Sequence, residues 1–229
     1  MQTNQQIPTK SIANQSGEAL QVHSIFYTIQ GEGPYAGMPA VFVRLAGCNL
    51  QCPGCDTEYT EGARQMRVGE ICEAIEQAAP GYPIIVITGG EPFRQNLTVL
   101  TRTLVAMCYT VQIETNGTLA PSDGLPGTVT VVCSPKTGTI NKAMRDRVDA
   151  WKYVARADDI NSDGLPDIAL GHSNRGGLAR PTNEAPVYLQ PMDEQHQGKN
   201  ELNTLAVVES CLKHGHRLCL QMHKIVGVE

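Results

Sequence analysis

Apolar residues along this chain form short runs of strand type that alternate with longer runs of helical spacing. In the helical run at residues 68–79, Ile71, Ala74, Ile75 and Ala78 share one face. Two further helical runs lie at residues 97–108 and 203–215, and Gly215 is placed to end the last one. The strand-type runs lie at residues 22–29, 40–46, 84–88, 110–114, 128–133, 150–155, 187–190 and 217–223. This alternation predicts a mostly parallel sheet with right-handed crossovers.

The helical runs are too few for a complete eight-unit barrel. The link between the runs at 110–114 and 128–133 is rich in Pro and Gly, with no room for a good crossover helix. We therefore predict an α/β fold, a partial (β/α) barrel of mostly parallel strands with trimmed helices, in a domain of residues 21–229. Residues 1–20 are predicted to be a flexible tail, and residues 156–185 a long loop region.

Composition narrows the choice of partner. The chain has 229 residues, a formal charge of -5 and no long Lys/Arg run, which argues against a nucleic-acid surface and favours a small molecule. Its start lacks the apolar core of a secretory signal, and no run is long enough to span a bilayer, so we expect a cytoplasmic protein without a membrane partner. Five cysteines stand singly on predicted helices or strands, and the simplest interpretation is that they are buried thiols in a reducing compartment. They are Cys72, Cys108, Cys133, Cys211 and Cys219.

Polar and small residues stand at the end of six of the predicted strands or directly after it. In parallel α/β folds the carboxyl ends of the strands build the active site, so these clusters are expected to meet at one rim. They are the cysteines after 40–46, Thr88 to Glu91, Glu114 to Asn116, Ser134 with Lys136, Gln190 with Asp193, and His223.

The densest cluster contains Cys48, Cys52 and Cys55 in a C-x3-C-x2-C spacing. A closed structural zinc site needs four ligands, and a 4Fe-4S cluster usually takes four cysteines, so three thiolates would leave one iron open to a substrate or cofactor. Two alternatives remain at this point. One is a zinc site completed by a remote thiol such as Cys72, and the other is an electron-transfer ferredoxin with a distant fourth ligand.

Residues 88–92, with the sequence TGGEP, follow a predicted strand. Glycines let a backbone approach a ligand closely, and exposed carbonyls or Glu91 could accept hydrogen bonds from an ammonium group. An ordinary strand-to-helix turn would give the same short motif.

The cysteine spacing followed by TGGEP resembles the signature of the radical S-adenosylmethionine superfamily. That resemblance implies that the methionine moiety of S-adenosylmethionine chelates the open iron, and that its reductive cleavage yields a hydrogen-abstracting 5'-deoxyadenosyl radical. Together with residues 26–59, the segments 114–118, 133–136, 188–194 and 222–229 resemble the 7-carboxy-7-deazaguanine synthase family more specifically.

This resemblance implies a lyase that converts 6-carboxy-5,6,7,8-tetrahydropterin into 7-carboxy-7-deazaguanine with loss of ammonia, a step toward queuosine and related 7-deazapurines. It also implies a 4Fe-4S cluster, catalytic S-adenosylmethionine, Mg²⁺, a flavodoxin or ferredoxin-type electron donor and a homodimer. No side chain is expected to be catalytic beyond the cofactor-bound radical. A radical S-adenosylmethionine activase, which places a glycyl radical on a partner protein, would share the cysteines and TGGEP but would not need groups that read a pterin.

The resemblance also assigns roles to individual residues. Cys48, Cys52 and Cys55 would bind the cluster, and Thr57 would bind Mg²⁺. Contacts to S-adenosylmethionine are expected from Gly54, Cys55, Asp56, Gly90, Glu91, Ser134, Pro135, Lys136, Gln190, Pro191, Met192 and Asp193. Contacts to the pterin are expected from Ile29, Gln30, Gly31, Glu32, Arg44, Thr88, His223 and Glu229. Taken singly, Arg44 could instead be a partner in a sheet-edge salt bridge.

Two further segments carry expectations. Residues 159–167 begin like a calcium loop, but Leu170 stands where a bidentate Glu is expected, so a plain loop is predicted. The second segment is the end of the given sequence. The strand at 217–223 is expected to reach the rim, and the apolar Ile225, Val226 and Val228 that follow it are expected to dock against the protein rather than face solvent.

Overall fold

A computed structural model describes residues 4–171 and 177–228. Its strands are β1 (Ala19–Ile29), β2 (Pro39–Leu45), β3 (Arg64–Arg67), β4 (Ile84–Gly89), β5 (Val111–Thr115), β6 (Thr130–Cys133), β7 (Ala150–Ala155), β8 (Val187–Pro191) and β9 (Arg217–Leu218). The α-helices are α1 (Val68–Ala78), α2 (Thr98–Ala106), α3 (Gln197–His214) and α4 (Met222–Val226). Short 3₁₀ turns lie at Gly33–Tyr35, Pro92–Arg94 and Lys142–Met144.

All the strands belong to one sheet with the order β3-β1-β2-β4-β5-β6-β7-β8-β9. Each neighbouring pair from β2 to β9 is parallel, whereas β1 runs antiparallel to both β2 and β3. The short β1–β2 connection explains this exception, because a parallel pair needs a crossover of a dozen or more residues. The α/β prediction is confirmed: the strands are mostly parallel, the helices are few, and the sheet is open rather than a closed barrel.

The two faces of the sheet differ in chemistry because successive strand residues point to opposite sides. One face carries the main hydrophobic core, in which Val43, Ile87, Ile113 and Trp151 are fully buried with residues of α1, α2 and α3. The opposite face carries polar side chains that alternate with these apolar ones: Arg44, Thr88, Glu114, Lys152 and Gln190.

Helix ends follow local sequence rules. The side chain of Glu70 reaches back to the Arg67 backbone in a capping box at the start of α1. Gly215 ends α3 with a φ of 74°, a left-handed conformation that glycine adopts without steric cost. The predicted end of this helix is therefore confirmed.

The predicted strand at residues 217–223 is wrong beyond its first two residues. Leu189 in β8 accepts a hydrogen bond from the Cys219 amide, but Pro191, two residues further along the same edge, has no N–H with which to continue the ladder. The chain then turns into α4. The strand β3 was not predicted, because only Met66 of its four residues is buried and the segment shows no apolar run.

The N-terminal segment was predicted to be a flexible tail, and the structure differs. The amides of Asn4, Thr9 and Ile12 donate hydrogen bonds to the carbonyls of Pro53 (3.0 Å), Cys48 (2.7 Å) and Arg94 (2.7 Å). This segment therefore packs along the cysteine-containing loop.

The described part of the long loop region is fastened by Arg180. Its guanidinium contacts the carboxylates of Asp163 (2.7 Å) and Asp167 (2.8 Å), so these acids serve an ion-pair network. Among the described residues, the helices lack the combination of length and apolar character that crossing a bilayer requires.

Candidate active site

A cavity of ≈ 600 Å³ opens at the carboxyl ends of the parallel strands, where the six polar clusters were expected to meet. Among the residues predicted for the site, those that line it are Gln30, Glu32, Arg44, Cys48, Cys52, Gly54, Cys55, Asp56, Thr57, Thr88, Gly90, Ser134, Lys136, Gln190, Met192, Asp193 and His223. Ile29, Gly31, Glu91, Pro135 and Pro191 do not line it, and Glu229 lies outside the described residues. Proximity supports the assigned roles, which stay predictions.

The glycines of TGGEP are required by close backbone packing. A β-carbon on Gly89, whose φ is 135°, would lie 2.1 Å from the Leu45 carbonyl oxygen, and one on Gly90 would lie 2.2 Å from the Gly47 carbonyl oxygen. These contacts are shorter than any real β-carbon makes, so only glycine lets the end of β4 lie against the chain that leads to Cys48.

Glu91 does not face the cavity, contrary to the suggestion that it could accept from an ammonium group. The residue is 0% exposed, and its carboxylate accepts from the Phe93 amide (3.0 Å), the Thr115 hydroxyl (2.7 Å) and the Asn116 amide (2.7 Å). Burial raises the pKa of this carboxyl. Glu91 therefore ties the end of β4 to the end of β5.

The three cysteines of the motif line the same cavity. Burial raises the pKa of the Cys48 thiol to about 12 and that of the Cys52 thiol to about 11, and it also raises the pKa of Cys55. The thiols are therefore protonated until a metal group takes them as thiolates.

This donor set fits an iron-sulfur cluster with an open iron better than a single zinc ion. No three His, Cys, Asp or Glu side chains in the described parts of the chain are grouped closely enough to hold one metal ion, whereas a four-iron cluster takes each thiolate on a different iron. Cys72, the fourth ligand of the zinc alternative, lies on α1 in the hydrophobic core and does not line the cavity.

A carboxylate with fixed donors forms one wall of the cavity. Glu114 accepts hydrogen bonds from the side-chain amides of Gln30 and Gln112 (3.0 Å each) and from the Thr88 hydroxyl (3.3 Å). Its position is thereby set by two strands, β4 and β5, and by the residue after β1, so it can present acceptor oxygens to a ligand without reorganising.

A buried ion pair stands beside this wall. Glu32 pairs with Lys152 and also accepts from Gln221 (2.9 Å). Burial alone would raise the pKa of Glu32, but the Lys152 ammonium outweighs it and lowers that pKa to about 2. In the same way, burial disfavours the charged Lys152, yet Glu32 raises the pKa of Lys152 above its usual value. The cavity therefore holds a fixed positive and a fixed negative charge side by side.

Arg44 is a cation of the cavity whose side chain keeps an unused hydrogen-bond donor among the described residues. Its guanidinium carbon lies 5.0 Å from the centre of the Phe26 ring, and its Nε is buried with no hydrogen-bond partner among the described residues. None of the salt bridges formed in the described structure includes it, so the sheet-edge alternative is not supported. A partly buried guanidinium with an unused Nε donor is suited to a carboxylate.

The C-terminal helix α4 covers part of the cavity mouth. The Met222 amide donates to the Gly31 carbonyl (3.2 Å), and a β-carbon on Gly31 would meet the His223 ring at 2.0 Å. Lys224 reaches Asp193 (3.1 Å) and Asp56 (3.4 Å) across the opening. The docking prediction was wrong for the apolar residues, because this single helical turn directs His223 inward and leaves Ile225, Val226 and Val228 exposed at 69%, 58% and 41%.

Several lining residues were in neither the rim clusters nor the assigned roles: Tyr59, Lys152, Leu170, Gln195, Gln221 and Lys224 among them. A signal existed for Lys152, which interrupts an apolar strand between the buried aromatics Trp151 and Tyr153 and must therefore point to the opposite face. No comparable pattern marks Leu170, whose carbonyl accepts from the Gly54 amide (2.8 Å) in the cysteine loop.

Comparison with known proteins gives concordant results. The family model for the Radical SAM superfamily matches residues 43–125 of this chain. The 7-carboxy-7-deazaguanine synthase of Rhodospirillum rubrum is 42% identical over 220 residues, which cover 93% of this chain and 94% of that protein. The protein of the same name from Rickettsia prowazekii is 38% identical over 233 residues, which cover 97% and 94%.

Among solved structures, the chain is similar to the crystal structure of QueE from Escherichia coli. The TM-score is 0.67 at 23% sequence identity, and the match covers 88% of this chain and 93% of that one. This likeness supports the fold, including its open sheet.

Proposed function

Since this chain belongs to the 7-carboxy-7-deazaguanine synthase family within the radical S-adenosylmethionine superfamily, we propose that its cavity converts 6-carboxy-5,6,7,8-tetrahydropterin into 7-carboxy-7-deazaguanine with loss of ammonia. The observation that carries the proposal is one cavity that combines three cysteine thiols, the Arg44 guanidinium, whose Nε has no hydrogen-bond partner in the described structure, and the fixed carboxylate of Glu114. Anaerobic turnover of the carboxypterin by reconstituted protein tests it.

The first half of the cavity suits the cofactors. When bound, a 4Fe-4S cluster supplies the electron that cleaves S-adenosylmethionine and so provides the radical that removes hydrogen from the substrate. Cys48, Cys52 and Cys55 would hold the cluster. The Gly90 backbone, Ser134 with Lys136, and Gln190, Met192 and Asp193 of the segment after β8 would hold S-adenosylmethionine, since all line the cavity that the motif cysteines line.

Lys136 has a defined position in this half. Its ammonium donates to the backbone carbonyl (3.0 Å) and the hydroxyl (2.5 Å) of Ser134. Burial lowers the pKa of Lys136, while the nearby thiols of Cys52 and Cys55 act in the opposite direction. A cation held here would favour the anionic, thiolate-bound form of the metal centre.

The second half suits a flat ring with a carboxylate. Arg44 would accept the carboxylate of the substrate as a charge-assisted pair. Glu114, with Gln30 and Thr88 already oriented around it, would accept from the amino and ring N–H groups of the pyrimidine edge. Glu32 is held by Lys152 and Gln221, and His223 closes the cavity from α4, so both are positioned to limit how the ring can rotate.

Magnesium binding by Thr57 gives a testable expectation. Mg²⁺ prefers hard oxygen ligands, and Thr57 lines the cavity two residues after the last cysteine. Thr57→Ala is expected to raise the Mg²⁺ concentration for half-maximal turnover by roughly tenfold, because loss even of a group that only orients a metal ligand typically costs about 10- to 100-fold in metal affinity. The cluster absorbance should stay intact. Magnesium titrations of turnover measure this, with Thr57→Ser as the matched control that keeps the hydroxyl. An unchanged magnesium response in Thr57→Ala would remove Thr57 from the metal site.

Two partner assignments also belong to this proposal. The reaction needs a one-electron donor of low potential, and we propose a flavodoxin or ferredoxin-type protein in that role. We also propose a homodimer, supported by the large apolar side chains that stay exposed on α3 and α4: Leu202, Leu205, Leu212, Ile225 and Val226. Sedimentation of the holoenzyme measures whether it is a homodimer.

A further inference from the structure

The segment of residues 4–12, called here the N-terminal strap, runs along the loop of residues 48–59 that contains the three cysteines. The Asn4 amide donates to the Pro53 carbonyl (3.0 Å), between the second and third cysteines. The side chain of Gln51 donates back to the Asn4 carbonyl (3.1 Å). The strap therefore contacts the motif directly, at a point where the loop has no helix or strand of its own.

Gln6 forms the central contact. Its side-chain nitrogen donates to the Thr57 carbonyl (2.8 Å), and its side-chain oxygen accepts from the Tyr59 amide (2.9 Å). A primary amide is the side chain that can donate and accept at once, as a neighbouring β-strand would. The backbone amide of Gln6 is held in turn by the Asn4 side chain (2.9 Å).

A third contact lies beside the first cysteine. The Thr9 amide and hydroxyl both donate to the Cys48 carbonyl, at 2.7 Å and 3.3 Å. The strap thus fixes the loop at Cys48, between Cys52 and Cys55, and immediately after Cys55.

The far end of the strap is anchored to the core. The Ile12 amide donates to the Arg94 carbonyl (2.7 Å), and the Arg94 guanidinium donates to the carbonyls of Lys10 (3.0 Å) and Ala46 (2.8 Å). Arg94 is only 3% exposed. The strap is therefore held at both ends and is positioned to restrain the loop.

We propose that the N-terminal strap, with Gln6 as its main positioning residue, holds the cysteine loop in the arrangement that receives the iron-sulfur cluster and slows loss of the cluster once it is bound. An irregular loop pays an entropic cost for each residue that is ordered, and the strap's hydrogen bonds offset that cost before any metal arrives. The identity of the metal centre rests on the proposed function, but the restraint on the thiols does not.

The first test uses the metal-free protein, so it does not depend on turnover. Gln6→Ala, Gln6→Glu and the control Gln15→Ala are treated with iodoacetamide, and the labelling rate of each cysteine is read by peptide mass spectrometry. Gln15 is an exposed glutamine just past the strap whose side chain makes no hydrogen bond in the described part of the structure. The exposed Cys108 and the buried Cys133 serve as internal references.

We expect Gln6→Ala to label Cys48, Cys52 and Cys55 about tenfold faster than wild type, because two hydrogen bonds that oppose local opening are lost. Gln6→Glu keeps the acceptor for the Tyr59 amide but loses the donor to the Thr57 carbonyl, so its labelling rates should lie between those of wild type and Gln6→Ala. Gln15→Ala should match wild type, and Cys108 and Cys133 should label equally in every variant. Equal labelling of the three motif cysteines in Gln6→Ala and wild type would overturn the proposal, as would a parallel increase at Cys133, which would indicate general loosening.

The second test uses the reconstituted protein and follows the decay of the cluster absorbance in excess iron chelator. Gln6→Ala should lose the cluster about tenfold faster than Gln15→Ala, for the same energetic reason. Equal rates of loss would contradict the restraint on the bound cluster. Wild-type protein that binds no cluster would contradict the proposed function instead, and the labelling experiment would still decide whether the strap restrains the thiols.

Discussion

Replacement of any one of Cys48, Cys52 and Cys55 by Ala is expected to abolish both the visible absorbance of the cluster and the cleavage of S-adenosylmethionine. Each variant leaves two thiolates for a four-iron cluster that needs three protein ligands beside its open iron. Among the cysteines outside the motif, none lines the cavity in the described structure, so no thiol stands ready to substitute. Absorbance and iron content after anaerobic reconstitution, with dithionite-driven formation of 5'-deoxyadenosine, measure the effect.

Cys72→Ala is the matched control for these three variants. Cys72 is 7% exposed, as is Cys48, but it lies on α1 and packs in the hydrophobic core. It is also the remote ligand that a structural zinc site would require. Cys72→Ala should keep the cluster and the cleavage activity, and a variant of the motif that retains full cleavage would contradict the cluster assignment.

Arg44→Met is expected to lower kcat/KM for the carboxypterin by roughly 100-fold, while slow cleavage of S-adenosylmethionine without substrate continues. The guanidinium lies over the Phe26 ring, and its buried Nε has no hydrogen-bond partner among the described residues. A hydrogen bond to a charged partner contributes about 1.5 to 3 kcal/mol. Losing it would cost tenfold to somewhat over 100-fold, since about 1.4 kcal/mol corresponds to a factor of ten. Steady-state kinetics and the rate of uncoupled cleavage separate the two effects.

Arg44→Lys is the control that keeps the charge but not the planar fork of donors. It should recover part of the lost kcat/KM if Arg44 binds the substrate carboxylate. An Arg44→Met enzyme with wild-type kcat/KM would show that the carboxylate is recognised elsewhere, for instance by Lys152.

The parts of the fold and site that the sequence predicted depend on local periodicity. The central strands were predictable because they are continuous apolar runs bounded by turn residues, as in the run that became β4. The location of the cavity followed from the same pattern, since polar residues such as Thr88 and Glu114 come where parallel strands end. The end of α3 followed from the preference of Gly215 for the left-handed conformation.

Other features depend on contacts between distant parts of the chain and leave no local pattern. Gln6 and Thr57 are 51 residues apart, and a polar segment that pairs with a loop has the same composition as a mobile tail. The buried Glu91 illustrates a different difficulty. Its carboxylate accepts from three backbone and hydroxyl donors. The sequence alone cannot distinguish such a glutamate from one whose carboxylate binds a ligand.

The end of the chain was mispredicted for a physical reason that is visible only in the sheet. Apolar residues after Cys219 suggested a continuing strand, but β8 offers no further donor at Pro191, so the segment forms α4 instead. The helix then presents His223 and Lys224 to the cavity and its apolar residues to solvent. Its contribution to the site is therefore polar, where the sequence had suggested an apolar anchor.

The proposed activity is tested by anaerobic incubation of the reconstituted protein with dithionite, S-adenosylmethionine, Mg²⁺ and 6-carboxy-5,6,7,8-tetrahydropterin, followed by mass spectrometry and an ammonia assay. The proposed activity predicts 7-carboxy-7-deazaguanine and ammonia in equal amounts, over many turnovers for each S-adenosylmethionine consumed, and no product from Cys48→Ala. Steady release of 5'-deoxyadenosine with no change in the pterin would contradict it.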